Sequence, residues 1–506
     1  MSLIKTSTGG KGSFKNLSAC ASLVMLGLWF SASIAQPSTS TISESPDVSQ
    51  SAAPPSSTAQ TLYAAASKDL LQLRILLKNG RSQSSTGSGF LIGTGDLVVT
   101  NYHVVSRLAL EPETYTGEYV DTDGRRGSIE LIAVDVLRDL AVVRVDRHGH
   151  DFFKLPETLT QLHQGQNLYS LGNPLDLGFA ISEGTYNGIS SRGFSDQLMF
   201  TGALNPGMSG GPNITAQGEV AGVNVSHRRD GELVSFLVPA HYVQQLLDSA
   251  REQNQAPEDF KSIIGEQLLM HQQIMADHLL NEPLPSKTLG NYKIPVRESE
   301  QLRCWGSSDT NPKSTYTTHA IQCGMESVIY VSDNVRTGSL SFNHQLINSK
   351  ENHALRFSRV ASNFFRGQIW SYHKGEEHTG QQCTEEFITN GDLPLRAVLC
   401  ATAYRKFEGL YNFTLLTITM NGELTALKSL YNIDGVSYEN GLKIAQGFLQ
   451  AVGHKTDADE PALITTPESN LNPATGDNEA GVEGSDSDNR ARQTDIPQES
   501  TEVITE

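Results

Sequence analysis

Between residues 71 and 238 the apolar residues come in short runs, roughly every ten residues, with turn formers between them. No helical period intervenes. That spacing limits the fold to an antiparallel barrel or sandwich. Residues 71–77 alternate as a strand, and a turn follows at Asn79-Gly80. Residues 86–92 begin glycine-rich and become strand-like. Residues 97–105 read as an apolar strand ending in His103, which opens a short turn. Residues 139–145 set Asp139 at the head of another buried strand, with Asp135 as the nearest rival carboxylate. Residues 165–174 run from a strand into a turn at Gly172-Asn173-Pro174. Residues 179–189, 197–201, 218–225 and 234–238 complete the series. The run stops at Pro239, after which residues 241–252 read as a helix. Residues 64–70 read as a short helical lead-in.

Directly after the strand at 197–201 comes Asn205-Pro206-Gly207-Met208-Ser209-Gly210-Gly211-Pro212. A serine between glycines in so tight a turn has its hydroxyl pushed clear of the backbone, and the N–H groups of Gly207 and Ser209 converge. Converging donors suit the negative charge that grows on a carbonyl oxygen during acyl transfer. A glycine-rich turn that happens to hold a serine is the plainer reading. A serine hydroxyl is a weak nucleophile without a base, so the decision rests on His103 and Asp139. Alone, His103 reads as a core histidine and Asp139 as a turn residue. Together in one all-β unit the three have complementary roles. His103 can take the Ser209 proton and return it to the leaving amine, and Asp139 can hold the imidazole tautomer.

The segments Thr86-Gly87-Ser88-Gly89-Phe90, Thr100-Asn101-Tyr102-His103-Val104-Val105, residues 139–145, Gly172-Asn173-Pro174 and residues 205–212 resemble the chymotrypsin-fold serine peptidases of the HtrA/Deg branch. The resemblance covers residues 71–247, a little over a third of the chain. It implies two antiparallel β-barrels with the site in the cleft between them, Ser209 as nucleophile, His103 as base and Asp139 as orienting carboxylate. It also implies a specificity pocket framed by Ala203 and Leu204 ahead of the serine and by Val223 and Val225 after it. No acidic residue stands there, which predicts a small or medium apolar preference. Two departures matter. Met208 cannot make the ion pair with a new N-terminus that an aspartate makes in zymogen-type relatives, so activity is expected without such an insertion. No PDZ-like segment follows the peptidase unit.

The remainder of the 506 residues divides by composition. Residues 1–35 read as a signal peptide, with Lys5, Lys11 and Lys15 before an apolar run at 17–30 and cleavage expected after Ala35. The run is short for a membrane span, which needs about 20 residues; an uncleaved anchor is the alternative. Residues 36–60 are a Ser/Thr/Pro-rich linker. The peptidase unit is placed at 61–254 and an amphipathic helical connector at 255–289. That helix either packs between two domains or meets a partner or a membrane. Residues 290–453 form a further domain, with strands at 318–323, 327–331 and 413–422 and a closing helix at 438–452. It holds Cys304, Cys323, Cys383 and Cys400. Cys304 with Cys323 and Cys383 with Cys400 would close local loops, although three connectivities are open. Zinc is the alternative, against which stands the lack of any Cys-x-x-Cys pair. Residues 454–506 are an acidic tail expected to be disordered.

The net charge of −18, with no basic patch, argues against nucleic acid as a partner. His148 and His150 form a His-x-His loop, but no cofactor or metal is expected. The expected architecture is mainly β: two six-stranded antiparallel β-barrels of the chymotrypsin-like protease type, then a separate disulfide-containing α+β domain. The expected activity is that of a secreted or periplasmic serine endopeptidase acting on protein or peptide substrates, with no stable membrane span after signal cleavage. The C-terminal domain would bind a partner or regulate activity. The alternative is a catalytically silent protease-fold scaffold, or a surface-binding protein, acting through the C-terminal domain.

Overall fold

The structure, a computed structural model, describes residues 56–156, 162–227, 234–253, 255–282, 284–366 and 375–455. The expected signal peptide, most of the linker and nearly all of the acidic tail lie outside these residues. Helix α1 (Ser57–Ala66) begins ahead of residue 61, because the Ser56 hydroxyl caps it by accepting from the Ala59 N–H at 3.1 Å. A single 3-10 turn, Ser67–Asp69, leads into the first strand.

Strands β1 (Leu70–Leu77), β2 (Gln83–Leu91), β3 (Leu97–Thr100), β4 (Tyr115–Asp121), β5 (Arg126–Asp135) and β6 (Leu140–Val145) close into one antiparallel barrel in the order β1-β2-β3-β6-β5-β4. Helix α2 (Tyr102–Leu110) follows β3. Strands β7 (Asn167–Gly172), β8 (Ala180–Ser190), β9 (Gln197–Thr201), β10 (Pro212–Thr215), β11 (Val220–His227) and β12 (Ser235–Pro239) close a second barrel in the order β10-β11-β12-β9-β8-β7. Helix α3 (Ala240–Glu252) follows β12. The apolar run at residues 140–143, at the start of β6, is explained by burial on both faces. Ala141, Val143 and Val145 face the interior of the first barrel, whereas Leu140 and Val142 join the core shared with the second barrel and α3.

The C-terminal half has strands β13 (Ser286–Leu289), β14 (Tyr292–Pro295), β15 (Leu302–Asp309), β16 (Tyr316–Met325), β17 (Ile329–Ser332), β18 (Val335–Thr337), β19 (Ser339–Ser349), β20 (Gln382–Asn390), β21 (Leu393–Ala403), β22 (Tyr411–Thr419), β23 (Thr425–Val436) and β24 (Gly453–His454). Seven of them form one sheet in the order β15-β16-β19-β23-β22-β21-β20, while β17 and β18 make a small hairpin of their own. Helix α4 (Phe260–Asn281) precedes this half, and helices α5 (Ala354–Arg366) and α6 (Tyr438–Gln450) pack against its sheet. Cys304–Cys323 and Cys383–Cys400 are disulfides, each between residues directly opposite in a hairpin of the sheet.

Helix α4 packs along both halves. Ile264 and Leu268 enter the core of the first barrel, and further along the helix Met275 and Ala276 enter the core of the C-terminal sheet. Tyr404, Phe407 and Leu410 of the C-terminal half also lie in the first-barrel core, together with Ile329, Val331 and Val335 of the β17–β18 hairpin. The sheet has its own core, but apolar burial fuses it to the first barrel, since removing apolar surface from water is the main force that holds such halves together. Among the described residues no helix is long and apolar enough to cross a membrane.

Candidate active site

His103 does not end a strand in a short turn. It sits in the first turn of α2, a nine-residue helix. The local run of Val104, Val105, Leu108, Ala109 and Leu110 supports a helix because Val104, Val105, Ala109 and Leu110 all find core on the inward side. Asn101 is the N-cap, with extended backbone (φ −85, ψ 149), but its side chain does not cap the helix. Asp139 supplies that function from the β5–β6 turn. Its Oδ1 accepts the His103 backbone N–H at 2.8 Å, and its backbone carbonyl accepts from the Tyr102 N–H at 3.2 Å and from Asn101 Nδ2 at 2.8 Å. The same carboxylate reaches the imidazole, with Oδ2 2.6 Å from His103 Nδ1. One side chain therefore both caps the helix and orients its histidine. An acceptor at Nδ1 fixes the tautomer that leaves Nε2 free to take a proton. Asp139 does this at φ 55, a left-handed conformation that aspartate tolerates better than most residues. The rival carboxylate, Asp135, is held by the N–H and guanidinium of Arg138 instead.

His103 is 30% exposed and Asp139 19%. Burial works against an imidazolium here, but the charge and hydrogen bond of Asp139, with Asp333 further off, outweigh it. His103 thus stands above the ordinary histidine value.

Ser209 lies in the loop between β9 and β10. Its hydroxyl donates to the carbonyl of Val225 at 3.1 Å, at a bulge in β11. Among the described residues no hydrogen bond joins Ser209 to His103, and the N–H groups of Gly207 and Ser209 have no acceptor. Two close approaches bring the loop and the start of α2 together. A Cβ on Gly87 would stand 2.4 Å from Val104 Cγ2 and 3.0 Å from the Ser209 carbonyl oxygen. A Cβ on Gly210, at φ 84, would stand 2.9 Å from the Asn101 nitrogen and 2.3 Å from the Ser88 carbonyl oxygen. A side chain at either position would force these neighbours to shift.

Two buried polar residues hold the loop's shape. Ser88 donates through Oγ to the Gly207 carbonyl at 2.7 Å, accepts the Asn173 N–H at 2.9 Å, and donates its own N–H to the Ser209 carbonyl at 2.8 Å. Asn224 takes the Gly210 N–H on its backbone carbonyl at 2.9 Å, donates through Nδ2 to the Leu171 and Met208 carbonyls at 3.1 and 3.3 Å, and accepts from Ser170 Oγ at 2.7 Å. Both are wholly buried, where an unmade bond costs about 1–3 kcal/mol. Met208, only 2% exposed, packs in a core with Leu168, Phe200, Leu204 and Leu237. It anchors the loop by apolar burial, without an ion pair. Ser88 and Asn224 both stand within segments singled out in the sequence, yet nothing local marks them as supports for Ser209.

The expected pocket residues separate. Ala203 is exposed and Val225 half-buried beside Ser209, but Leu204 and Val223 face inward. Leu204 fills the second barrel and Val223 the core between the barrels, so both side chains are turned into the interior. Closing the sheet into a barrel turns alternate residues inward, which the flanking position in sequence does not reveal. Instead, Leu175 (59% exposed) lies beside the serine loop, its N–H bonded to the Pro206 carbonyl at 2.8 Å, and Leu177 (82% exposed) follows in the same turn. Asp176 between them is tied to Gln72 and Arg74 of β1. His150 of the His-x-His pair bonds Asp69, and among the described residues no three potential metal ligands gather.

Residues 87–223 match the family described as Trypsin-like peptidase domain. The chain is 29% identical over 175 residues to "Putative serine protease HhoB" of Synechocystis sp., covering 33% of this chain and 40% of that protein. It is 28% identical over 198 residues to "Putative serine protease HhoA" of the same organism, covering 37% and 48%. It is 33% identical over 178 residues to "Serine protease HTRA2, mitochondrial" of Drosophila pseudoobscura pseudoobscura, covering 33% and 40%. The chain thus spans less than half the length of these curated relatives. Among solved structures, "Crystal structure of the serine endoprotease from Yersinia pestis" aligns at TM-score 0.34 and 21% identity, covering 40% of this chain and 69% of that one. Residues 87–223, within the two-barrel unit, thus resemble a trypsin-like peptidase domain, and the relatives matched are named as serine proteases, HTRA2 among them.

Proposed function

We propose that this protein is a serine endopeptidase that hydrolyses protein amide bonds through an acyl-enzyme on Ser209. The observation that carries the reading is the double engagement of Asp139 with His103, 2.8 Å to the backbone N–H and 2.6 Å to Nδ1, beside a serine loop with two unengaged N–H donors. In this mechanism the Ser209 hydroxyl turns from the Val225 carbonyl towards His103 Nε2. As Oγ bonds the substrate carbonyl carbon, its proton passes to Nε2 and the carbonyl electrons move onto oxygen. The Gly207 and Ser209 N–H groups accommodate that oxyanion. When the tetrahedral intermediate collapses, the C–N bond breaks and Nε2 returns the proton to the leaving amine. Water then repeats the sequence on the ester and frees Ser209.

Exposed Leu175 and Leu177, with Val225 and Ala203, support a preference for apolar side chains in an extended segment of substrate. We assign the peptidase unit to residues 61–254, with α4 as connector and residues 290–453 as a second module. The apolar run at 17–30 supports a cleaved leader and a secreted or periplasmic setting. The rival reading, a silent scaffold, has one observation in its favour: the Ser209 hydroxyl rests on Val225 and not on His103. A fluorophosphonate probe decides between them. Labelling of the full chain that disappears in Ser209→Ala is expected; well-folded wild-type protein that stays unlabelled would overturn the enzyme reading.

A further inference from the structure

The β17–β18 hairpin belongs by sequence to the C-terminal half, yet it packs on α2, the helix that carries His103. Ile329, Val331 and Val335 share a core with Tyr102, Val105 and Leu110. The Tyr102 hydroxyl donates to the Val331 carbonyl at 2.8 Å in a buried bond. At the exposed side Arg107 grips Asp333 Oδ2 through both Nε, at 3.1 Å, and Nη2. Between these two anchors Tyr330 stands edge-on to the His103 imidazole, with ring centroids 6.0 Å apart and planes at 76°. The Tyr330 hydroxyl donates to Asp333 Oδ1 at 2.8 Å and lies 3.5 Å from Ser106 Oγ.

From this arrangement we infer that Tyr330 and Asp333 are positioning residues for His103, so that the C-terminal half completes the active site of the peptidase half. The inference rests on the reading of His103 as the general base. Asp139 fixes the imidazole at one nitrogen, and a ring held at one atom still swings about its Cβ. The Tyr330 ring takes up the space such a swing needs, and its own place is set by Asp333, Arg107 and the buried Val331 bond. Asp139 from the β5–β6 turn and Asp333 on the hairpin act on the imidazole, and Tyr330 stands against it; Arg107 on α2 and Arg336 on the hairpin lie against Asp333, and Tyr102 on α2 lies near Tyr330 and Asp139. Asp333 favours the imidazolium, in the same sense as Asp139. That imidazolium exists while the Ser209 proton is held, so the hairpin acts on the transition state and not on substrate binding.

The test uses the full chain with Tyr330→Ala, Tyr330→Phe and Asp333→Asn, and reads the second-order rate of fluorophosphonate labelling against pH. A parallel NMR titration of His103 in the Ser209→Ala background does not depend on turnover. Tyr330→Ala is expected to slow labelling about tenfold or more. Tyr330→Phe, which keeps the ring, should stay within about threefold of wild type. Asp333→Asn removes a negative charge, so both the acid limb of the rate profile and the His103 titration should move to lower pH. Should Tyr330→Ala fail to fold, the other two variants decide. A Tyr330→Ala protein that labels at the wild-type rate, even with a lowered Tm, overturns the proposal, as does a His103 titration unmoved by Asp333→Asn. If wild type never labels but that titration still moves, the peptidase reading fails while the positioning contact stands.

Discussion

The loop around Ser209 and the helix that starts beside His103 hold two halves of one site by different means. The loop is gripped by its backbone: Ser88 and Asn224, both buried within the two barrels, bind carbonyls and N–H groups at Gly207, Met208, Ser209 and Gly210. The helix is gripped by side chains, from inside by Asp139 and from outside by a hairpin more than 220 residues further along, as the Tyr102–Val331 separation of 229 shows. Backbone support suits a nucleophile whose oxyanion donors are themselves backbone groups, since anything that fixes the peptide planes fixes the donors. Side-chain support suits a base that must change charge during the reaction. On the proposed reading, Ser209 as nucleophile is held within the two barrels, and His103 as base depends also on the packing of the C-terminal hairpin against α2.

Changes at Asp139 strike hardest at the histidine side, because one carboxylate does two tasks there. Asp139→Asn should lower kcat on the order of 10⁴-fold with the fold retained, measured with active-site-titrated enzyme. A loss below about tenfold would show that the outer clamp, not Asp139, governs the base. On the serine side, Asn224→Ala leaves the Leu171 and Met208 carbonyls and the Ser170 hydroxyl short of a partner. The expected loss is about 100-fold in kcat, together with about 2–3 kcal/mol of stability by urea titration. If only stability falls, the loop is held redundantly by Ser88 and Met208. Least should follow from the disulfide at the β20 edge of the C-terminal sheet. Replacing Cys383 and Cys400 together by serine removes a cross-link of sequence separation 17, worth about 3 kcal/mol in the chain-entropy account. Activity should stay within about twofold, and a larger loss would mean that the whole sheet, not only its hairpin, supports His103.

Much of the site could be read from the residues because it is built on backbone geometry that glycine and spacing advertise. The tight turn at Ser209, the order of His103, Asp139 and Ser209, and the short-strand rhythm all have a local cause. Other parts had no local signature. Residues 97–105 pass for one apolar strand, and only the core waiting for Val104, Val105, Ala109 and Leu110 makes the second part helical. Val223 sits next to the site in sequence and points away from it, because the barrel's closure turns it into the core. Leu175 carries no local sign of its place beside the serine loop, because the bond from its N–H to the Pro206 carbonyl joins two separate loops. Tyr330 lies in a strand legible from the sequence and Asp333 in the turn that follows it, yet nothing local ties either to His103.

Residue type and period over a few positions were enough to propose which groups carry the chemistry and to predict a unit of short antiparallel strands around them. What holds those groups in place was settled only when the chain folded. Folding assigned the helix cap to Asp139, the loop supports to Ser88 and Asn224, and the outer wall of the histidine to a hairpin from the other half. Those contacts join residues far apart in the chain, and the burial that stabilises them exists only once both halves have packed together.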